Sequence, residues 1–210
     1  MKTIAIIILI VGAIQSQSIY ELTPGIKENQ IVLQLSNISQ SQSAENVEVK
    51  LIRQSSNIKF NTTEANIKNL NKKEEKEIAF SFDVNYVADI LKQDTVEFLI
   101  TDNKTIYQTK QFIFSYTSPR EYRLEQNYPN PFNPSTKIRY TIPGNVETRH
   151  VVSLRIYDIL GNEVATLVNE EKQPGYYEID FNASNIASEV YIYRLVTGKF
   201  VSTKKMILLR

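Results

Sequence analysis

Cysteine is absent from the 210 residues, which excludes disulfides, thiolate metal sites, a cysteine nucleophile and the lipid-bearing cysteine of a lipoprotein. Histidine is almost absent: His150 stands alone. Nucleophilic triads and most zinc centres set a histidine against a partner. The stretch 19–118 has none, and His150 reads as a histidine of a polar surface loop. The six glycines are dispersed singly, so no phosphate-cradling loop is present. No D-x-D-x-D loop clusters oxygen ligands for calcium, and no cofactor is implied. Neither sign of charge dominates, with 24 basic residues against 23 acidic ones. Residues 19–118 hold 11 and 13, residues 119–210 hold 12 and 10. That balance leaves no footprint for nucleic acid or an anionic membrane surface.

A long apolar run is missing too. Met1-Lys2-Thr3 precedes the 11 residues Ile4 to Ile14, far short of the roughly 18 that a spanning helix needs. A basic start, a short apolar run and the small, polar Gln15-Ser16-Gln17-Ser18 read as an export leader, cleaved after Ser16 or Ser18. The other reading is a buried N-terminal strand. A secreted chain without disulfides must be held by its cores, which suits two domains of about 90–100 residues.

What is abundant is alternation of period two, the mark of half-buried strands. Ile31, Leu33 and Leu35 share one face; after the polar loop 37–44, Val47, Val49 and Leu51 alternate with Glu48 and Lys50 and predict a hairpin partner. Residues 57–60 predict a short strand, Lys72 to Glu77 a solvated turn, and Ile78, Phe80, Phe82 and Val84 one strand face. Residues 85–91 could make a single helical turn. Two strands, 95–101 and 105–116, flank a tight turn at Asp102-Asn103-Lys104. Six or seven strands in about 100 residues predict an immunoglobulin-like sandwich. Asp83, Asp89, Asp94, Glu97 and Asp102 are the acids a hydrolase would have to use. Scattered on strand edges and turns, they read as solvation, and a sandwich this small rarely builds the necessary cleft.

Ser118-Pro119 marks a boundary, and Leu124 to Pro143, LEQNYPNPFNPSTKIRYTIP, opens the rest. Pro129, Pro131 and Pro134 forbid helix there, and Asn130 and Asn133 can bond their own backbone in turns. Strands are predicted at 136–142, 152–157, 164–168, 176–181, 190–196 and 200–209. Asp158 to Asn162 is a turn in which Gly161 supplies positive φ, and Pro174-Gly175 reads as the centre of a type II turn. Eight of the 12 tyrosines lie in 119–210, where half-buried rings can pack while their hydroxyls reach water. Met206 to Leu209 is apolar at every position and predicts burial on both faces.

Three blocks in this order, LEQNYPNPFNPSTKIRYTIP, Val152 to Phe181 and VYIYRLVTGKFVSTKKMILLR, resemble the type A C-terminal sorting domain of the type IX (Por) secretion system. The resemblance covers about 121–210. Its motif positions here are Pro129, Asn130, Pro131, Phe132, Asn133, Pro134, Tyr157, Gly161, Pro174, Gly175, Tyr191, Tyr193, Lys204, Lys205 and Leu208. Glu189 stands where the family usually has a small residue, and Arg210 where lysine is commoner.

The resemblance implies a bacterium of the Bacteroidota and a periplasmic intermediate led through the outer membrane by its last strands. The partners it implies are the translocon, a surface peptidase cutting near Ser118-Pro119, and in some cases anionic lipopolysaccharide as anchor. Asp94-Thr95-Val96 resembles the short O-glycosylation sequon of those bacteria. The expected whole is all-β: two tandem immunoglobulin-like β-sandwich domains after a signal peptide, 1–18, with a cargo domain, 19–118, and a sorting domain, 119–210. The cargo is expected to be a non-enzymatic module binding an unknown surface ligand. The alternative is a structural subunit of a surface assembly whose C-terminal domain is a permanent spacer.

Overall fold

The computed structural model describes residues 3–9, 18–144 and 150–209, with only the backbone given for 3–9. Ser16, residues 145–149 and Arg210 lie outside the described residues. The chain divides into two compact units, Met1–Thr117 and Ser118–Arg210. Both are built of strands, and among the described residues there is no helix. The all-β expectation is therefore met.

The first unit contains β1 (Thr3–Leu9), β2 (Ile19–Leu22), β3 (Asn29–Ser36), β4 (Ala44–Arg53), β5 (Ile58–Phe60), β6 (Glu64–Leu70), β7 (Glu75–Val84), β8 (Asp94–Thr101) and β9 (Tyr107–Tyr116). They form two sheets, ordered β1-β3-β7-β5 and β2-β9-β8-β4-β6. Alternation does what it predicted for Ile31, Leu33, Leu35, Phe80, Phe82 and Val84, which point into one core, with Ile78 only partly buried against it; Val96, Phe98, Phe112 and Phe114 join them there. That core is a phenylalanine cluster. Phe98 lies 4.7 Å from Phe80 and 5.7 Å from Phe60, centroid to centroid, with Phe112 at 5.9 Å and edge-on. Such offset and edge contacts follow from the ring quadrupole and add to the area buried.

Three local expectations are corrected. β4 is not the hairpin partner of β3; it pairs with β6 and β8 in the opposite sheet, while β3 pairs with β7. Two adjacent alternating strands cannot by themselves say whether their faces meet side by side or across a core. Here Asn37 carries the crossing, its side-chain amide donating to the carbonyls of Gln42 and Leu70. Residues 85–91 form turns instead of a helical turn, with Asp89 capping the Leu91 N–H. Of the charged run, Glu75 to Glu77 already belong to β7. β6 went unseen in the sequence because Ala65, Ile67 and Leu70 do not alternate cleanly; only Ile67 and Leu70 are buried.

The second unit contains β10 (Arg123–Leu124), β11 (Ser135–Ile142), β12 (His150–Tyr157), β13 (Glu163–Lys172), β14 (Gly175–Asn182), β15 (Val190–Thr197) and β16 (Phe200–Ile207). Its sheets are β10-β11-β14 and β13-β12-β15-β16. Val152, Leu154 and Ile156 face Ile138, Tyr140, Ile142, Tyr191, Tyr193 and Leu195 in one core. Gly161 takes φ +89° in the turn between β12 and β13, as expected.

Here too three expectations change. Gly175 opens β14 opposite Ile142 and is absent from the positive-φ positions, so Pro174-Gly175 is not the centre of a type II turn. Met206 and Leu208 are buried, but Ile207 and Leu209 are 38% and 53% exposed. The apolar run thus has one inner and one outer face, as the alternation of side chains along a strand dictates. His150 begins a strand instead of lying in a surface loop: Tyr122 Oη sits 2.7 Å from its Nδ1, and its Nε2 is enclosed without a partner among the described residues.

Candidate functional site

The segment 125–134 is an irregular stretch tied at many points. Single bridges, Tyr128 with Lys137 and Phe132 with Leu208, and the Glu125 N–H bond to the Arg139 carbonyl satisfy part of its backbone, and side chains satisfy more. Tyr193, fully buried on β15, does this with one hydroxyl: it accepts the Asn127 N–H and donates to the Glu125 carbonyl, both at 2.8 Å. Removal from water pushes the Tyr193 hydroxyl up to about 12, so it stays a donor. The buried Asn127 amide donates to the Pro129 carbonyl at 3.0 Å and to Thr136 Oγ1 at 2.9 Å. Thr136 donates in turn to the same carbonyl at 2.8 Å. The peptide bonds before Pro129 and Pro131 are cis.

The segment then closes over the C-terminal strand. Asn130 Oδ1 accepts the Ile207 N–H at 2.9 Å. The Phe132 N–H donates to the Ile207 carbonyl, and its own carbonyl accepts the Leu209 N–H, both at 3.0 Å. Phe132 and Leu208 are buried beside each other's strands, with Phe132 6.2 Å from Phe181. Gln126 reaches the Lys205 carbonyl at 2.7 Å. Two ends of the unit, about 75 residues apart in sequence, therefore form one surface. On it Pro129, Asn130, Pro131, Asn133, Lys205, Ile207 and Leu209 are exposed, with Lys204 and Pro134 half-buried.

The remaining motif positions fall elsewhere. Tyr191 donates to the Ala187 carbonyl at 2.8 Å, fastening the loop that carries Glu189. Tyr157 accepts from Arg194 at 2.9 Å, and the guanidinium lies 4.7 Å above its ring. Next to this pair Asp158 accepts the Leu160 and Asn162 N–H groups at 2.9 and 2.8 Å. These bonds fix a tight turn that presents Ile159 and Leu160, 64% and 82% exposed. That apolar tip was not picked out in the sequence, nor were Asn127 and Gln126; only the unbroken block LEQNYPNPFNPST pointed to the latter two. Pro174 is half-buried and Gly175 buried in the β11–β14 pair. Ser118 is exposed, while Pro119 is buried and accepts the Gly144 N–H. Ser18 is exposed.

In the first unit each flagged acid has a structural task. Asp83 accepts the Glu28 N–H, Glu97 a proton of Gln111, and Asp89 the Leu91 N–H. Asp102 gathers the Ile106, Lys104 and Thr105 N–H groups at 2.7–2.9 Å, the Ile106 bond foremost in holding its carboxyl well below the usual range. Asp94 accepts from Asn57 and from Tyr116; burial acts against its ionisation, but these bonds outweigh it and keep it low. Thr95 lies half-buried in β8 opposite Ile113. An open groove of about 550 Å³ runs between loops 37–45 and 102–106. Among the described residues, no three acids or histidines are placed to hold a metal ion.

Comparison with known proteins bears on the second unit. Residues 126–209 match the family model of a secretion system C-terminal sorting domain. No curated protein matches the chain. Among solved structures, dimeric latent PorU from Porphyromonas gingivalis is similar at 16% identity and TM-score 0.34, over 94% of this chain and 19% of that one. The calcium-binding domain CBD12 of CALX1.1 is similar at 8% identity and TM-score 0.36, over 85% and 77%. The YadV chaperone is similar at 8% and 0.33, over 91% and 98%. At these scores the three carry no argument about function. The match to the family model does: residues 126–209 are a type IX secretion sorting domain, which marks a chain for export to the cell surface or beyond.

Proposed function

We propose that residues 119–210 deliver residues 19–118 through the outer membrane, and that the delivered part is a non-catalytic binding or adhesion module. The leader 1–18 directs the chain to the periplasm, both units fold there, and the translocon engages the second. The observation that carries this is the joined surface of the 125–134 segment and β16. It brings the family's Asn-Pro block and its C-terminal strand together through Gln126, Asn130 and Phe132, while Tyr193 and Asn127 hold the block in shape. A receptor can then read both ends of the domain at once, and only when the domain is folded. The surface peptidase meets an exposed residue at Ser118, and lipopolysaccharide or the medium receives what is cut away.

The cargo offers strand faces, loops and the groove beside Asp102. The five carboxylates Asp83, Asp89, Asp94, Glu97 and Asp102 each hold backbone or side-chain groups, which supports recognition as the role. Fusing a reporter to residues 119–210 tests the delivery role, and secretion of the fusion is expected. Retention of the reporter in the periplasm would leave the second unit as a permanent spacer. Intact mass of the native protein should show a chain beginning near residues 17–19 and ending near Ser118.

A further inference from the structure

Among the described residues every sheet edge is protected, with one exception that depends on β1. β5 is three residues long and carries Lys59; β2 is four residues long and carries Glu21; β10 is two residues long. β6 has Glu64 and Lys68, β13 has Glu163, Glu170, Glu171 and Lys172, β14 has Glu178 and Asp180, and β16 has Lys204 and Lys205. Short length and charge are the ordinary devices that keep an edge from recruiting a foreign strand. β3 has neither: Asn29–Ser36, NQIVLQLS, is eight residues without a charge, a proline or a glycine.

The edge of β3 is covered in the full chain by β1, TIAIIIL, which runs parallel to it from Thr3 opposite Gln30 to Leu9 opposite Ser36. That segment lies within the leader on the reading above, so its removal would bare the edge. Ile31, Leu33 and Leu35, which are fully buried with β1 in place, lie along the bared strand. We propose that β3 is a strand-acceptor site, open in the mature protein to an uncharged, β-branched aliphatic strand donated by another polypeptide. The chemistry of the donor is read from β1, the strand that occupies the edge: seven residues, no charge, isoleucine-rich, parallel. Backbone bonds to such a strand would supply affinity, and its alternate side chains would supply selectivity. The inference rests on the leader reading and extends it by giving the cargo a partner class.

The test uses the exported chain, its N-terminus established by intact mass, and a labelled synthetic peptide of Thr3–Leu9 with solubilising residues outside the strand. Saturable binding is expected, with amide exchange across residues 29–36 slowed at least ~10-fold and little change elsewhere. A peptide carrying Ile6→Pro should not bind, because proline removes a ladder donor. Val32→Lys in the protein, on the face opposite Ile31 and Leu33, should weaken binding ~10-fold or more with the melting temperature unchanged. A chain starting near residue 19 that ignores the peptide overturns the inference and leaves the sorting role standing. Self-association through residues 29–36, seen by sedimentation and exchange without peptide, overturns it in favour of a second copy. A mature chain still carrying Met1 to Leu9 overturns the leader reading, and the open site with it.

Discussion

The two units fill similar sandwiches with different aromatics. The first places six phenylalanines, Phe60, Phe80, Phe82, Phe98, Phe112 and Phe114, in its core. The second buries Tyr140, Tyr191 and Tyr193 along with two phenylalanines, Phe132 and Phe181, whereas Tyr116 is the one tyrosine buried in the first core among the described residues. A phenylalanine contributes area and a ring contact without direction, so many aliphatic or aromatic residues could replace it in a repacked core. A buried tyrosine can also use its hydroxyl; Tyr140 leaves its own without a partner among the described residues. Tyr193 and Tyr191 spend theirs on the carbonyls of Glu125 and Ala187, each in an irregular segment. A phenylalanine core fixes a fold, whereas a tyrosine core also fixes particular loops. A domain read by a receptor needs those loops in one arrangement, and a cargo needs only to fold.

That contrast is most easily broken at Phe132, the one ring by which the 125–134 segment enters the second core. Phe132→Ala should cost about 3–5 kcal/mol, as truncations of buried rings do, and should free residues 125–134 in hydrogen exchange. Phe98→Ala should cost a similar amount in the first unit but spread its exchange over β4, β8 and β9. If both variants loosened only strands, the tyrosine unit would have no special hold on its loops.

A finer cut is Tyr193→Phe, which keeps the ring and strands the buried Asn127 N–H and Glu125 carbonyl. A loss of about 1–3 kcal/mol is expected, with secretion of a fused reporter falling along with it. In the first unit Tyr116→Phe should cost less, about 1 kcal/mol, since Asp94 keeps its bond to Asn57. Equal costs would erase the difference drawn here.

Acid should act on both units through turn carboxylates. The backbone N–H groups of Ile106, Lys104 and Thr105 hold Asp102 low, and Asn162, by side chain and backbone, does the same for Asp158. A carboxyl depressed in the folded state stabilises it above the unfolded value of about 3.9 and loses that contribution as pH falls through the folded value. Melting temperature should therefore drop below about pH 4. Asp102→Asn should flatten the profile of the first unit and Asp158→Asn that of the second, each modestly because both groups are solvent-facing. The smallest effect belongs to Leu160→Ser at the exposed turn, within about 0.5 kcal/mol on stability by calorimetry.

Much of this molecule is written in local pattern. Alternation placed Ile31, Leu33 and Leu35, Phe80 and Phe82, and Val152, Leu154 and Ile156 on their inner faces, because a strand's side chains alternate whatever it pairs with. Gly161 and the proline block were legible for the same reason: their backbone limits are intrinsic. The sorting domain was legible because its tyrosines and asparagines serve single loops and so leave words in the chain. Pairing was not legible. That β4 crosses to the opposite sheet, that Ile207 and Leu209 face outward, and that Gly175 sits in a strand depend on what lies across the core, which alternation does not encode. Nor could spacing show that one hydroxyl, on Tyr193, joins the Asn-Pro segment to β15 while Asn130 and Phe132 tie it to the last strand. Those contacts span 66 to 77 residues, and only a closed sandwich brings them within hydrogen-bond reach.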